Sequence, residues 1–317
     1  MKNKKIVITG SSGFIGFHVS KFFLENKYTV IGIDNHDNYY DVQIKNKRLK
    51  ILKKFKNFKF FKKNILEKQI YNIFNKNIPD IVIHLAAQAG VRFSFDRPQK
   101  YIDNNIKGFL NILEIMRKLK LNNLIYASSS SVYGNTNNFP TKENSPLNPE
   151  NIYGMTKVFN ENLAKFYCKK FKINSIGLRF FTVYGKIGRP DMFIPKITNK
   201  IKNKKNIELY NNGNHHRDFT YVDDVASVIF DISKKIKDKN KNEHQIYNIC
   251  YGSTVKIDLV IKKISNILRK KPKIKKKNFQ IGDMYKTHGS NMKISKKYKF
   301  KNLVDITRGL KEITDND

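Results

Sequence analysis

Gly10-Ser11-Ser12-Gly13-Phe14-Ile15-Gly16 decides how this chain folds. The stretch follows a short β-branched run, Ile6-Val7-Ile8-Thr9, and opens a segment with helical spacing, so it reads as strand, tight turn and helix. Gly10 permits the turn, Gly13 lets backbone amides approach a pyrophosphate, and Gly16 allows close helix-to-strand packing. Phe14 and Ile15 stand in the first helical turn, where the free amides form an anion site. The next run, Thr29 to Asp34, ends in an acid placed to accept hydrogen bonds from an adenosine ribose, with Asn35 beside it. A carboxylate there would repel a 2′-phosphate. The expected cofactor is NAD rather than NADP.

Outward from that turn, β-branched runs alternate with amphipathic segments, the pattern of a parallel sheet with crossover helices. Strands are predicted at Ile6–Thr9, Thr29–Asp34, Phe58–Asn64, Ile81–Leu85, Leu124–Ser128 and Ser175–Arg179. Helices are predicted from near Gly13, Val42, Glu67, Tyr101 and Tyr153. The fold class is α/β, a doubly wound Rossmann sheet over residues 1–179, with a smaller C-terminal α/β substrate lobe over 180–317. A strand near Gln245–Ile249 is expected to return to the main sheet. Small residues in His84-Leu85-Ala86-Ala87-Gln88 leave room for a cofactor at the crevice, and Asn64 with Ile65 stands where an adenine contact is expected.

Composition sets the outer bounds. The 317 residues carry a formal charge of +36, which raises nucleic acid as a partner. Lysine, asparagine and isoleucine are enriched together along the whole chain, however, and no nucleic-acid motif accompanies them. The expectation is no nucleic-acid partner, with a basic RNA-binding protein on a dinucleotide fold kept as a remote alternative. The densest run, Lys270 to Lys277, reads as a solvated loop. Cys168 and Cys250 are the only cysteines, far apart, and give neither a disulfide framework nor metal-ligand spacing, so no metal is expected. No run approaches the roughly 18 apolar residues that span a bilayer. A cytoplasmic protein with no membrane partner is expected.

Tyr153 and Lys157 lie four apart at the start of a helix, so their side chains share one face. A neighbouring ammonium stabilises a phenolate and makes tyrosine a usable base. Ser128 to Ser131 follow the fifth strand at the same sheet edge and offer hydroxyls beside it. The helix from Tyr101 to Lys120 carries an apolar stripe through Ile102, Ile106, Phe109, Leu113 and Met116, and the helix from Tyr153 one through Val158, Phe159, Leu163 and Phe166. Each stripe either faces its own sheet or, paired with the other, forms a homodimer interface.

This order of glycine turn, acid, serine cluster and Tyr153/Lys157 resembles the extended short-chain dehydrogenase/reductase superfamily. Longer strings are similar to the UDP-glucuronate 4-epimerases: Asp34 to Asp41, His84 to Ser94, Ser128 to Gly134, Arg179 to Gly185, Gly188 to Met192 and Arg217 to Asp224. The resemblance implies a UDP-sugar substrate, tightly held NAD and surface polysaccharide synthesis as the outlet. Tyr153 would take the proton of the sugar 4-hydroxyl, Ser129 would hydrogen-bond that hydroxyl, and hydride would return to the other face of a 4-keto sugar. Dehydratases carry an Asp-Glu pair, and uronate decarboxylases a Glu, where this chain has Ser130 and Ser131. A 4-keto uronate is a β-keto acid prone to lose carbon dioxide, so its carboxylate needs a clamp. The family match suggests Arg189 for it, with Thr182 and Ser131 as hydroxyl donors.

By the same match Arg217 sits near the diphosphate, Asp283 contacts the nucleotide ribose, and Arg92 lines the entrance. The adjacent His215 and His216 are taken as surface loop residues. The chain departs from the pattern at Asn64, where aspartate is usual, at Asn104 in the cofactor region, where serine is common, and at His288-Gly289-Ser290. Epimerases of UDP-glucose or UDP-N-acetylhexosamine, or a C5 epimerase of the uronate, are the nearest alternatives.

Overall fold

The computed structural model describes residues 4–236, 242–278, 284–301 and 303–314. Six strands follow the expected alternation: β1 (Lys5–Thr9), β2 (Thr29–Asp34), β3 (Phe58–Lys62), β4 (Ile81–His84), β5 (Asn123–Ser129) and β6 (Asn174–Phe180). A seventh, β7 (His244–Ile249), returns beside β6. The sheet order is β7-β6-β5-β4-β1-β2-β3, every pair parallel. The chain leaves β1 toward β2 on one side and crosses back to β4 on the other. The crevice therefore opens at the carboxyl ends of β1 and β4, the switch point where ligands bind in such sheets. β3 stops two residues short of the expected Asn64 because the Asn64 side chain accepts the Leu66 amide at 3.0 Å, a local turn that competes with strand pairing.

Both faces of the sheet are covered, which is why its strands read as continuous apolar runs. Ile6 and Ile8 of β1 pack against Phe14, Phe17 and Phe23 of α1 (Phe14–Glu25) and against Val225 and Ile229 of the helix Val222–Lys235. Val7 points the other way, toward Phe109, Leu113 and Met116 of α4 (Gly108–Lys118). Between them in sequence lie α2 (Val42–Leu52) and α3 (Gln69–Asn77), and α5 (Ile152–Phe171) follows β5. Phe109, Leu113 and Met116 are fully buried, so that stripe faces its own sheet. The stripe on α5 divides: Leu163 and Val158 pack against buried clusters, while Phe159 and Phe166 are 46% and 51% exposed.

The helix expected from Tyr101 forms in pieces: a turn at Pro98–Tyr101, a π-helical turn at Ile102–Lys107, then α4. Such π turns concentrate at functional sites, and this one turns Asn105 inward onto the backbone of Gln88. After β6 a second core gathers Ile194, Ile197 and Ile201 from the helix Phe193–Lys202, and Val260, Ile261 and Ile264 from Ile257–Leu268. The Lys270–Lys277 run is not a loop. Its residues Lys273–Lys277 form a fully exposed edge strand parallel to Asn206–Tyr210, and rows of lysine on such an edge discourage further pairing.

Candidate active site

A cleft of about 540 Å³ runs along the carboxyl edge of the sheet, and every expected site residue lines it except Asp283, which lies outside the described residues. Gly10 stands at φ +72°, a left-handed conformation, and a Cβ there would sit 2.8 Å from the Ala86 amide nitrogen. A Cβ on Gly16 would fall 2.0 Å from the Gly10 carbonyl oxygen, so this glycine closes the turn onto itself rather than the helix onto the strand. α1 starts at Gly13 with no side-chain cap and no acid in its first turn. Its first amides are thus left for an anion.

Asp34 is buried at the end of β2, where Oδ2 accepts the Ser12 amide at 3.1 Å and Oδ1 the His36 amide at 2.8 Å. The acid is fixed against the same turn that would hold a pyrophosphate. Leu85, Ala86 and Ala87 line the facing wall beyond β4, with Asn35, Asn64 and Ile65 at the far end. A glycine cradle, open helix amides and a carboxylate at ribose distance in sequence fit a dinucleotide of the NAD type.

Tyr153 and Lys157 rise from the first turns of α5, whose start is fixed by Asn151 capping the Gly154 amide at 2.8 Å. Lys157 is buried, donates to the Ala127 carbonyl at 3.1 Å, and stands 5.7 Å from the Tyr153 ring centre. Burial lowers the Lys157 ammonium to about 8, with Glu161 opposing. Burial also raises the Tyr153 phenol, opposed by its hydrogen bond with Ser129 and by the charge of Arg189. The sequence expects the neighbouring ammonium to make the tyrosine a usable base; burial is the largest influence on the phenol. Desolvation dominates in this cleft and moves the phenol up and the ammonium down, so the two separate.

Ser129 caps the short turn Ser130–Val132 by accepting the Ser131 amide at 3.1 Å, and its hydroxyl donates to Ser131 Oγ at 3.1 Å. Ser128 is directed away, donating to Glu161 at 2.6 Å. Across the cleft stand Thr182, Arg189 and Arg217, with Arg92 at the rim of the same wall as Gln88. The Arg189 side chain is 18% exposed and directed into the cleft, not a solvated loop arginine. Arg217 donates to the His216 carbonyl at 3.0 Å.

Asn104 lines the cleft but spends its amide on the Lys100 carbonyl at 2.8 Å. Its neighbour Asn105, which sequence reading missed, holds both backbone groups of Gln88, accepting from N at 2.8 Å and donating to O at 3.0 Å. No local pattern marks Asn105; only the π turn brings it inward. Under the serines lies a second unread feature, a buried Glu161–Arg179 fork at 2.9 and 2.7 Å, with Arg179 also donating to the Tyr133 hydroxyl at 2.8 Å. The histidine reading is corrected: His215 is buried, and His216 sits in a short strand paired with Val255–Lys256.

Comparison with known proteins agrees with this geometry. The model of the NAD dependent epimerase/dehydratase family matches residues 6–250. The chain is similar to protein CapI of Staphylococcus aureus, 40% identical over 98% of this chain and 97% of that one. It is similar to the UDP-glucuronate 4-epimerase of Thermodesulfobacterium geofontis, 36% identical over 96% and 93% of the two chains. Among solved structures, UDP-glucuronic acid 4-epimerase from Bacillus cereus, in complex with UDP-glucuronic acid and NAD, matches with a TM-score of 0.91 at 30% identity over 98% of each chain.

Proposed function

As the chain belongs to the NAD dependent epimerase/dehydratase family, we propose that it converts UDP-glucuronate to UDP-galacturonate by inverting C4. The observation that carries this reading is Arg189, whose guanidinium enters the cleft alongside Ser131, Thr182 and the catalytic pair, while serines occupy 130 and 131. A planar fork suits a planar carboxylate, and no acid stands at those two positions to support elimination. NAD, held by the Gly10–Gly16 turn and Asp34, supplies a reversible two-electron acceptor.

Tyr153 receives the proton of the 4-hydroxyl and later returns it, with Ser129 hydrogen-bonding the same oxygen. Lys157, an ammonium below about 8, stabilises the phenolate that accepts the 4-hydroxyl proton. The 4-keto sugar turns in the cleft and is reduced on its other face. Throughout, Arg189, Thr182 and Ser131 keep the C6 carboxylate out of the alignment that releases carbon dioxide. Arg92 and Arg217 are assigned to the UDP moiety.

An epimerase of neutral UDP-hexoses would use the same Ser129, Tyr153 and Lys157 but offer Arg189 no substrate carboxylate. Incubation with UDP-glucuronate, UDP-glucose and UDP-N-acetylglucosamine, followed by chromatography of the products, separates these readings. UDP-galacturonate from the first substrate supports the proposal; turnover of the neutral sugars alone, or a C5 epimer, overturns it.

We also assign the outward face of α5 to a homodimer. Met155, Phe159 and Phe166 are 54%, 46% and 51% exposed there, with Leu110 of α4 nearby in the layer, an apolar patch suited to a second copy. The free, buried thiols of Cys168 and Cys250 fit the reducing cytoplasm.

A further inference from the structure

Arg48, on α2, is fully buried, and among the described residues no carboxylate comes within ion-pair distance of it. Desolvating a guanidinium costs several kcal/mol, and a methionine would fill the same volume without that penalty. What the charge holds is therefore informative. Nη1 donates to the Ser12 carbonyl at 3.0 Å, inside the glycine turn, and to the Tyr40 hydroxyl at 2.7 Å. Nε and Nη2 both donate to the Ile187 carbonyl, at 3.1 and 2.6 Å.

Ile187 lies two residues before Arg189 and stands at φ +48°, a left-handed conformation that a β-branched residue adopts only when its surroundings impose it. The preceding carbonyl, that of Lys186, accepts from His18 Nε2 at 2.8 Å, while Nδ1 of that ring meets Asp223 at 2.8 Å. Two successive carbonyls leading to Arg189 are thus gripped by side chains from α1 and α2, the helices that frame the dinucleotide turn. The Ser12 side of the strut is equally fixed, since its amide donates to Asp34 and its hydroxyl meets His36 at 3.0 Å.

We propose that Arg48 is a positioning residue that registers the carboxylate-binding Arg189 against the dinucleotide turn, so that the clamp on the uronate stays aligned with the ring carbon being oxidised. The inference rests on the reading of Arg189 as that clamp. A misaligned clamp has a chemical signature. In the 4-keto uronate the C5–C6 bond breaks, its electron pair moves onto the C4 carbonyl as an enolate, carbon dioxide leaves, and a solvent proton enters at C5. The product is a UDP-4-keto-pentose, and the two electrons taken from C4 are not returned.

The test compares Arg48→Lys, which keeps the charge but loses the fork, and Arg48→Met, which keeps the volume, with the parent enzyme carrying NAD. UDP-glucuronate is supplied, the ratio of 4-keto-pentose to UDP-galacturonate is read by chromatography, and bound NAD is read after denaturation. Both variants are expected to retain NAD, to lose about 10-fold to 100-fold in kcat/KM, as misplacement by about 1 Å does, and to raise the pentose fraction several-fold. In an Arg189→Gln background, Arg48→Lys is expected to change the ratio by less than about twofold, since the clamp is already gone. If Arg48→Met does not fold, the lysine variant and His18→Gln, which releases the Lys186 carbonyl, carry the test. A lowered melting temperature with the parent's product ratio, or additivity in the Arg189→Gln background, overturns the proposal. A parent enzyme that makes no UDP-galacturonate overturns the functional reading itself.

Discussion

The guanidinium of Arg189 forks onto the carboxylate of Asp191, Nε lying 3.1 Å from Oδ1 and Nη2 2.5 Å from Oδ2. The Tyr39 hydroxyl donates to the same Oδ2 at 3.1 Å, and the guanidinium lies 5.5 Å from the Tyr39 ring centre. One edge of the fork is thus committed to the protein, and the Nη1 side remains for a ligand. Although burial opposes it, Arg189 holds the Asp191 carboxyl below its ordinary value.

Removal of Arg189 therefore does more than delete a donor. It leaves an uncompensated carboxylate facing the uronate. Arg189→Gln is expected to lower kcat/KM for UDP-glucuronate about 100-fold, the size of a lost charge-assisted fork of roughly 2–3 kcal/mol. The double variant Arg189→Gln/Asp191→Asn should recover about tenfold of that loss, because the like charge is gone. Steady-state kinetics on both proteins check this, and a double variant no better than the single one would contradict the repulsion.

Tyr153→Phe separates binding from chemistry. The ring and its packing against Tyr101, at 6.2 Å between centres, survive the change while the proton acceptor is lost. The expected result is a kcat lowered by about 10³, with UDP-glucuronate affinity by calorimetry within about threefold of the parent. A large loss of affinity with kcat preserved would mean that the hydroxyl serves binding alone.

Much of this was legible before any coordinates, and what was not has a physical reason. The glycine turn, Asp34 and the β-branched strands are local signals, since turn conformation, anion binding and strand period are decided within a few residues. Tyr153 and Lys157 were legible because helical spacing fixes their shared face. Asn105, Arg48 and the Glu161–Arg179 pair were not, because each works through partners beyond the reach of a local pattern: Asn105 meets Gln88 across 17 positions, Glu161 meets Arg179 across 18, and Arg48 reaches Ile187 across 139. The effect of burial on the tyrosine was hidden for a related reason. Sequence shows the neighbouring lysine, but not the burial that pushes the phenol up.

The turn itself offers a sharp test. A methyl group at Gly16 would meet the Gly10 carbonyl oxygen at 2.0 Å, a backbone contact that no rotamer change relieves. Gly16→Ala is expected to abolish NAD that copurifies with the parent, seen by absorbance at 260 nm after denaturation, and to destabilise the protein by about 2–4 kcal/mol as a forced overpacking. Retention of NAD at the parent's stoichiometry would mean that the turn opens without disturbing the cofactor.

Lys157 makes the folded protein's stability depend on pH in a direction that can be worked out. The unfolded chain keeps this proton up to about the ordinary 10.5, whereas the folded chain keeps it only to about 8. Between those values the unfolded state binds more protons, so stability rises with pH through that window. Below about 8 both states are charged and the full burial penalty stands, on the order of 3 kcal/mol. Lys157→Met removes the charge and keeps most of the volume. Without nucleotide, this variant is expected to be inactive yet more stable than the parent at pH 7, and to lose that advantage by pH 10.5. Guanidinium chloride denaturation at both pH values measures the difference. A variant less stable than the parent at pH 7 would show that the bond from Lys157 to the Ala127 carbonyl outweighs the desolvation of the ammonium.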